Sequence, residues 1–318
     1  MAPAVVIARL IPAVGRDRIA AVATVLEGGL DASAEEIAAM VPGAVAIVPD
    51  PTVAVGAELL EAAGPDLRLV ANFGVGYDNL DLDACRERGV LATNTPDVLT
   101  DATAELALAL TLAAARGTGA AEARLRAGRW TGFDTTGDLG IELSGARFGI
   151  LGMGRIGRRY AELVAPLAGE LLYFNRSPAP EAEETLGARR VELDELLGGA
   201  DVVSLHLPGG SETSHLIGAA ELAAMKPSAI LVNTARGTLV DGAALARALG
   251  ADDGIAAAGL DVYEQEPAVP QALLEAPGCV LLPHVGSATV RARDGMSNLV
   301  ADAVCALLEG VDPPNRIA

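Results

Sequence analysis

An α/β fold with two doubly wound parallel sheets is what this 318-residue sequence predicts. Three observations carry that expectation. Short apolar runs alternate with longer helical stretches along nearly the whole chain, as strands and their crossover helices do. The runs fall into two groups, one before Thr95-Pro96 and one after Ser144-Gly145. The length is sufficient for two domains, each with its own core.

The first group of strands comprises Val5–Ala8, Ala44–Val48 and Leu67–Ala71. Thr95-Pro96 closes it, because proline biases the residue before it away from helix. The alanine- and leucine-rich Thr103–Arg116 reads as a helix. The second group begins with the strand Phe148–Leu151, continues into a helix over Arg158–Ala168, and returns as the strand Leu171–Phe174. Strands at Val202–Leu205, Ile230–Val232 and Val280–Leu282 follow, with a helix over Gly242–Leu249. Arg291–Leu308 has helical spacing after the last strand and needs a surface to pack against, so the C-terminal segment is expected to return to the first domain. No tandem repeat or low-complexity linker interrupts this order.

Composition narrows the function. Hydrophobic residues make up 51% and charged residues 20%, which is globular composition. A net charge of −19 argues against binding nucleic acid or an anionic membrane surface; its plainest role is solubility. Any anionic ligand must then be captured locally, by arginines and backbone N–H groups. Lys226 is the only lysine, the other basic residues being arginine. The three cysteines, Cys85, Cys279 and Cys305, form no CxxC pair and suit a reducing cytosol. The opening "MAPAVVIARLIP" has no basic region before a long apolar run, and no stretch approaches a membrane span. A cytoplasmic protein is expected.

The motif Gly152-x-Gly154-x-x-Gly157 lies between the strand Phe148–Leu151 and a helix. The first glycine permits a tight turn, the second lets a pyrophosphate approach the backbone, and the third allows close helix packing. The helix start adds N–H groups and the positive end of its dipole. Alone, the pattern is weak evidence in a glycine-rich sequence; its strand–turn–helix setting favours a dinucleotide over a glycine turn with no ligand. Such sites usually end the next strand with an Asp or Glu that holds the ribose. Here "LLYFNRSP" places Asn175, Arg176 and Ser177 there, with Asn175 standing 18 residues past Gly157. An arginine in that place can pair with a 2′-phosphate that a carboxylate would repel, so NADP is the expected cofactor, with NADPH preferred over NADH.

Three more residues lie just past strand ends, where ligands gather in an open α/β sheet. They are Arg236 in "NTARGTLVD", Glu266 in "GLDVYEQEP" and His284 in "PHVGSAT". An arginine can grip a carboxylate through two parallel bonds. A histidine suits proton transfer near neutral pH, and a glutamate beside it orients the ring and favours imidazolium. Taken singly, each has a plainer reading: a surface ion pair, a solvated loop carboxylate and a structural histidine. His206, in the strand-like "SLHLP", and His215, in a polar loop, are weaker candidates. No His, Cys and Asp cluster has metal-ligand spacing, so no metal is expected.

The ordered set "NFGVGYDN", "GILGMGRIG", "NTARGTLVD", "AAAGLDVYEQEP" and "LLPHVGSAT" resembles the D-isomer-specific 2-hydroxyacid dehydrogenases over nearly the whole chain. Within that family, "TNTPDVLTDATAELALAL" and "PHVGSATVRARDGMS" look most like glyoxylate/hydroxypyruvate reductases. The resemblance implies two Rossmann-like domains: a discontinuous substrate domain over 1–97 and 287–318, and a dinucleotide-binding domain over 98–286. It implies that a hydride passes to C2 of a small 2-oxo acid, glyoxylate or hydroxypyruvate, giving the D-2-hydroxy acid. Arg236 would bind the substrate's carboxylate and carbonyl, with His284 as proton donor and Glu266 as its partner. Val75 and Gly76 would offer backbone N–H groups to the carboxylate. Arg155 and Ile156 would face pyrophosphate, Pro208 and Thr234 would line the cofactor cleft, Asp261 would contact the nicotinamide side, and Gly286 would also bind the cofactor. It also implies a homodimer, with the Thr103–Trp130 region as a candidate arm.

Two positions depart from the reductase pattern. Gly137 stands where some members place an aromatic from a neighbouring subunit, and Pro49 stands where relatives often have a small hydroxyl residue. Two alternatives share the fold. A phosphoglycerate dehydrogenase type using NAD is disfavoured by Arg176 and by the lack of a C-terminal regulatory domain. A nucleotide-sensing corepressor is disfavoured because such relatives carry extra terminal segments.

Overall fold

A computed structural model describes residues 2–318 and divides them into two compact units, one of residues up to Leu99 together with Ser287–Ala318, the other Thr100–Gly286. In the first, β1 (Ala4–Ile7), β2 (Thr24–Glu27), β3 (Ala44–Val48), β4 (Leu69–Ala71) and β5 (Leu91–Thr93) form a parallel sheet in the order β2-β1-β3-β4-β5. The helices α1 (Ala13–Ala20), α2 (Ala34–Met40), α3 (Ala57–Ala63) and α4 (Leu82–Glu87) make the crossovers. Local chemistry sets their starts. Ser33 accepts the Glu36 N–H at 3.2 Å while the Glu36 carboxylate accepts the Ser33 N–H at 2.8 Å, a capping box that opens α2. Asp81 caps α4 by accepting from Ala84 N–H at 2.9 Å. Val6, Ile47, Leu60, Val70 and Cys85 are buried together in this unit's core.

The second unit opens with α5 (Thr100–Arg116) and α6 (Thr118–Arg126). Seven parallel strands follow: β6 (Ala146–Leu151), β7 (Ala168–Phe174), β8 (Arg189–Arg190), β9 (Val202–Leu205), β10 (Ile230–Asn233), β11 (Ala257–Leu260) and β12 (Cys279–Leu281). Their order is β12-β11-β10-β9-β6-β7-β8, so the strand order reverses between β6 and β9. The crossovers are α7 (Arg155–Val164), α8 (Pro180–Leu186), α9 (Leu193–Gly199), α10 (Ala219–Ala224), α11 (Gly242–Leu249) and α12 (Gln271–Leu274). A parallel sheet buried on both faces needs a core on each side. One holds Leu151, Leu172, Leu205 and Leu231, the other Phe148, Ile150, Tyr173 and Val232, all fully or almost fully buried. Full burial of one such side chain contributes roughly 1.5–3 kcal/mol.

The chain then returns to the first unit as α13 (Val290–Glu309). Thr289 caps it, accepting from Ala292 N–H at 3.2 Å, and α1 lies against it where Gly15 N–H donates to Ser297 Oγ at 3.2 Å. The last residues run beside β5: Ala92 N–H donates to the Ala318 carbonyl at 3.1 Å, and Ile317 N–H to the Ala92 carbonyl at 2.8 Å.

Several elements differ from the sequence reading. The helix expected over Arg158–Ala168 begins at Arg155 and stops at Val164, and Ala168 already belongs to β7. Pro166 stands two residues past its end and cannot continue the backbone ladder. The strand expected from Leu67 begins at Leu69, and that expected over Val280–Leu282 lies one residue earlier. The strands β2, β5, β8 and β11 are additions to the expected set. No helix among the described residues is long and apolar enough to cross a membrane.

Candidate active site

All seven strands of the second unit point the same way, so their carboxyl ends form one edge of the sheet. Gly152 follows β6, Asn175 follows β7, His206 follows β9, Thr234 and Arg236 follow β10, Asp261 follows β11, and His284 lies just past β12. Topology alone gathers these residues along one edge, which runs from the far strand β12 past the point between β9 and β6 where strand order reverses.

Glu266 and His284 meet directly. His284 Nδ1 lies 2.5 Å from Glu266 Oε2, and Glu266 Oε1 accepts the Tyr263 N–H at 2.9 Å. Both carboxylate oxygens are therefore engaged, and Nε2 is the ring nitrogen that remains for exchange. Burial pushes the Glu266 carboxyl up, but its bond to His284, the imidazolium charge, the Tyr263 N–H and the Arg236 guanidinium outweigh it, leaving the group below its ordinary value.

His284 itself adopts a left-handed backbone with φ of 53°, an unfavourable conformation for a non-glycine residue. Asp261 holds it there. Its two carboxylate oxygens each accept a backbone N–H, from Val285 and Gly286, both at 2.7 Å, and its own carbonyl accepts the His284 N–H at 2.9 Å. Burial raises the Asp261 carboxyl above its ordinary value despite these donors. Gly286 is buried, and its carbonyl accepts the Thr103 hydroxyl at 3.3 Å.

Arg236 stands on a turn shaped by buried Asn233, whose amide donates to the Arg236 carbonyl at 2.8 Å and accepts the Ala235 N–H at 3.0 Å. The next residue, Gly237, packs its backbone on Tyr263 and Glu264; a Cβ there would coincide with the Tyr263 carbonyl group. The turns that carry Arg236 and Glu266 are thus held backbone to backbone. A second histidine–carboxylate pair closes the same cluster: His215 Nε2 lies 2.5 Å from Glu264 Oε1, while the His215 N–H donates to the Thr238 carbonyl at 2.8 Å. The hydrogen bond to Glu264 raises His215 above its ordinary value.

The glycine motif has the geometry of a phosphate turn. Gly152 has φ of 96°, and a Cβ there would lie 2.7 Å from the His206 carbonyl oxygen. A Cβ on Gly157 would coincide with the Gly152 carbonyl, whereas around Gly154 there is open space. Helix α7 begins at Arg155 and Ile156, so its first N–H groups face that space. Thr234 Oγ1 and His206 Nδ1 are buried with no hydrogen-bond partner among the described residues. These observations fit a dinucleotide whose pyrophosphate rests on the turn. At the end of β7, Asn175 is half-buried and donates to the Ser177 carbonyl at 2.9 Å, while Arg176 and Ser177 are exposed. Pro208 is exposed, its carbonyl accepting the Thr213 hydroxyl at 3.0 Å.

In the first unit, Val75 and Gly76 lie in the loop after β4. Three consecutive carbonyls there are tied down: Gly74 accepts Thr95 N–H at 3.0 Å, Val75 the Asn94 amide at 2.8 Å, and Gly76 the Asn72 amide at 2.7 Å. Asn79 braces Asn72 at 3.1 Å and also donates to the carbonyls of Asp50 and Val53. These bonds fix the loop that carries Val75 and Gly76. Sequence reasoning misses these amides, although three asparagines around a glycine-rich loop are visible in it. His206 also has more structure than its strand-like setting suggests. Its ring lies 5.1 Å from the Tyr160 ring, and Nε2 is 2.9 Å from Ser204 Oγ.

Comparison with known proteins bears on this arrangement. The family model described as "D-isomer specific 2-hydroxyacid dehydrogenase, NAD binding domain" matches residues 108–286. Glyoxylate reductase of Thermococcus litoralis is 47% identical over 264 residues, spanning 82% of this chain and 79% of that protein. That of Aeropyrum pernix is 46% identical over 265 residues, spanning 82% and 78%. Among solved structures, the TT0316 protein from Thermus thermophilus superposes with a TM-score of 0.92 at 39% identity, covering 99% of this chain and 100% of that one. The NADPH-dependent glyoxylate/hydroxypyruvate reductase SmGhrB from Sinorhizobium meliloti, solved with NADP and malonate, does so with 0.88 at 34%, covering 100% and 97%.

Proposed function

Since the chain belongs to the D-isomer-specific 2-hydroxyacid dehydrogenases and is an NAD(P)-dependent oxidoreductase, we propose that it reduces glyoxylate and hydroxypyruvate, preferring NADPH. The product is the 2-hydroxy acid, of D configuration where C2 is stereogenic. One observation carries the proton-transfer role: Glu266 takes Nδ1 of His284 at 2.5 Å, which orients Nε2 as the exchanging nitrogen. The names of the relatives and the absence of a carboxylate at Asn175-Arg176-Ser177 support the substrate and cofactor.

When bound, the reduced nicotinamide supplies the hydride that C2 of the 2-oxo acid accepts. His284 Nε2 gives its proton to the carbonyl oxygen, and the neutral imidazole is later reprotonated from solvent. Glu266 stabilises the charged ring before the transfer and fixes its tautomer after it. Arg236 pairs with the carboxylate and polarises the carbonyl, a task for a planar fork of donors. Val75 and Gly76 give N–H groups to the carboxylate. The turn Gly152–Gly157, with Arg155 and Ile156, holds pyrophosphate, and Asn175, Arg176 and Ser177 take the 2′-phosphate. Pro208, Thr234 and Gly286 line the cofactor cleft. Asp261, whose oxygens each keep a further lone pair, holds the His284 turn and accepts from the carboxamide. In this reading the unit Thr100–Gly286 is the dinucleotide-binding domain and the other the substrate domain.

A homodimer in the cytoplasm completes the proposal. Its support is the apolar exposure of Leu125 on α6 and of Trp130 and Phe133 after it, and three free cysteines.

Initial rates for glyoxylate, hydroxypyruvate, pyruvate and a bulky 2-oxo acid, each with NADPH and NADH, test the reading. Glyoxylate and hydroxypyruvate with NADPH should give the highest kcat/KM. The variant His284→Ala should lose ~10²–10⁴-fold in kcat with NADPH binding nearly intact; turnover within a fewfold of wild type would remove His284 from the role.

A further inference from the structure

The shortest strand of the second sheet, β8, contributes two arginines with different partners. Arg189 is tied to Glu170 at 3.1 Å and to Glu195 at 2.7 Å. Its neighbour Arg190 makes no ion pair among the described residues and turns its guanidinium to the end of β7. There Nε and Nη2 donate to the Asn175 carbonyl at 3.1 and 2.9 Å, and Nη2 also to the Arg176 carbonyl at 3.0 Å. With the Asn175 amide holding the Ser177 carbonyl at 2.9 Å, three successive carbonyls of this turn are engaged by donors. The carboxylate beneath the turn, Glu183, is occupied by the Tyr173 hydroxyl, which in turn accepts the Ala179 N–H at 2.8 Å.

Carbonyl oxygens facing a phosphate would repel it, and a flexible turn would have to be ordered on binding. Arg190 removes both obstacles. It draws the carbonyls of Asn175 and Arg176 towards itself, and it adds a second positive charge beside Arg176 in a chain otherwise strongly acidic. We propose that Arg190 determines cofactor specificity, as the residue that orders the Asn175–Ser177 turn and supplies a second cation for a ribose 2′-phosphate. The proposal rests on the NADPH reading above and adds a residue remote from the motif that suggested it.

Calorimetric titration with 2′,5′-ADP and with 5′-AMP separates the two. Wild-type protein should bind 2′,5′-ADP more tightly than 5′-AMP. Arg190→Met should weaken 2′,5′-ADP about five- to tenfold, the scale of one exposed charge contact and the ordering it brings, while 5′-AMP stays within about twofold. The NADPH/NADH ratio of kcat/KM should fall in parallel, with the NADH value within about twofold of wild type. Arg190→Lys keeps the charge without the bridge between carbonyls and should fall between the two proteins. It also serves should the methionine variant fold poorly. Unchanged 2′,5′-ADP affinity in Arg190→Met, or an equal loss of 5′-AMP, would overturn the proposal: the first frees the phosphate of Arg190, the second makes the residue a brace alone. Wild-type protein that binds both nucleotides equally overturns the NADPH reading itself, so the two failures are distinct.

Discussion

Glu266 is committed through both oxygens, one to His284 and one to the Tyr263 N–H, so its charge and its shape can be separated by mutation. Glu266→Gln keeps an acceptor for the backbone and removes the anion beside the imidazolium. It should lower kcat for reduction while NADPH affinity stays close to wild type; an unchanged kcat would show that the pair does not act in the reaction. Arg236→Lys replaces two parallel N–H bonds by a point charge and should raise KM and lower kcat together, as steady-state rates with glyoxylate will show. His206 predicts a stability effect instead. Burial pushes its ring down to about 3, from an ordinary value of 6.5. Above 6.5 the ring is neutral both folded and unfolded and contributes no slope. Below it the unfolded chain takes up a proton that the folded protein refuses, so stability falls, by about 1.4 kcal/mol per pH unit at most. His215 works the other way: raised by Glu264, it adds stability below 6.5 that is lost as pH rises through its folded value. Glu266, lowered from 4.5, adds to the acid loss only below that value. Urea midpoints between pH 6.5 and 4.5 should therefore decline less steeply for His206→Gln than for wild type.

At the level of elements, the turns that carry Arg236 and Glu266 depend on a missing side chain. A Cβ at Gly237 would occupy the Tyr263 carbonyl group, so Gly237→Ala must push the Tyr263–Glu266 segment away. Overpacking of this kind costs about 1–3 kcal/mol, and kcat should fall further than cofactor affinity, because it is Glu266 that moves. Thermal melts together with nucleotide titration and rates test this. The same elements show what the sequence could convey. Fold class was legible, because Val-, Ile- and Leu-rich runs such as Ala44–Val48 and Val202–Leu205 alternate with helical stretches. The strand β11 was not, since Ala-Ala-Gly-Leu has no strand propensity; its small residues admit α5, where a Cβ on Gly259 would lie 3.0 Å from Leu110 Cβ. The edge strands β2 and β8 were hidden because they are short and mostly exposed, and β8 is two arginines. Arg236, Glu266 and His284 stood out as polar residues after strand ends. The bonds that orient them, from Asn233, Tyr263 and Asp261, depend on turn geometry that no spacing encodes, and Arg190 bonds carbonyls 14 and 15 residues before it.

For the whole molecule, the net charge of −19 sets a field against the anionic ligands of the proposed reaction. Moderate salt should screen that long-range repulsion before it weakens short charge-assisted bonds, so the association rate of glyoxylate should rise with ionic strength up to about 0.1 M. Stopped-flow measurement of nucleotide fluorescence against salt would show the trend. Light scattering at micromolar concentration should return the mass of two chains; a monomer would remove the dimer from the proposal. The division of the molecule has one more consequence, for how it is born. The unit that begins with β1 is completed by α13 and by residues 315–318 along β5, whereas Thr100–Gly286 is one unbroken stretch. During synthesis the residues up to Leu99 leave the ribosome before α13 and residues 315–318, so the β5 edge is bare and α1 uncovered until the intervening stretch has been translated. The second unit can fold meanwhile. Order of synthesis and order of completion thus run opposite: the unit begun earlier is the one whose partners arrive last.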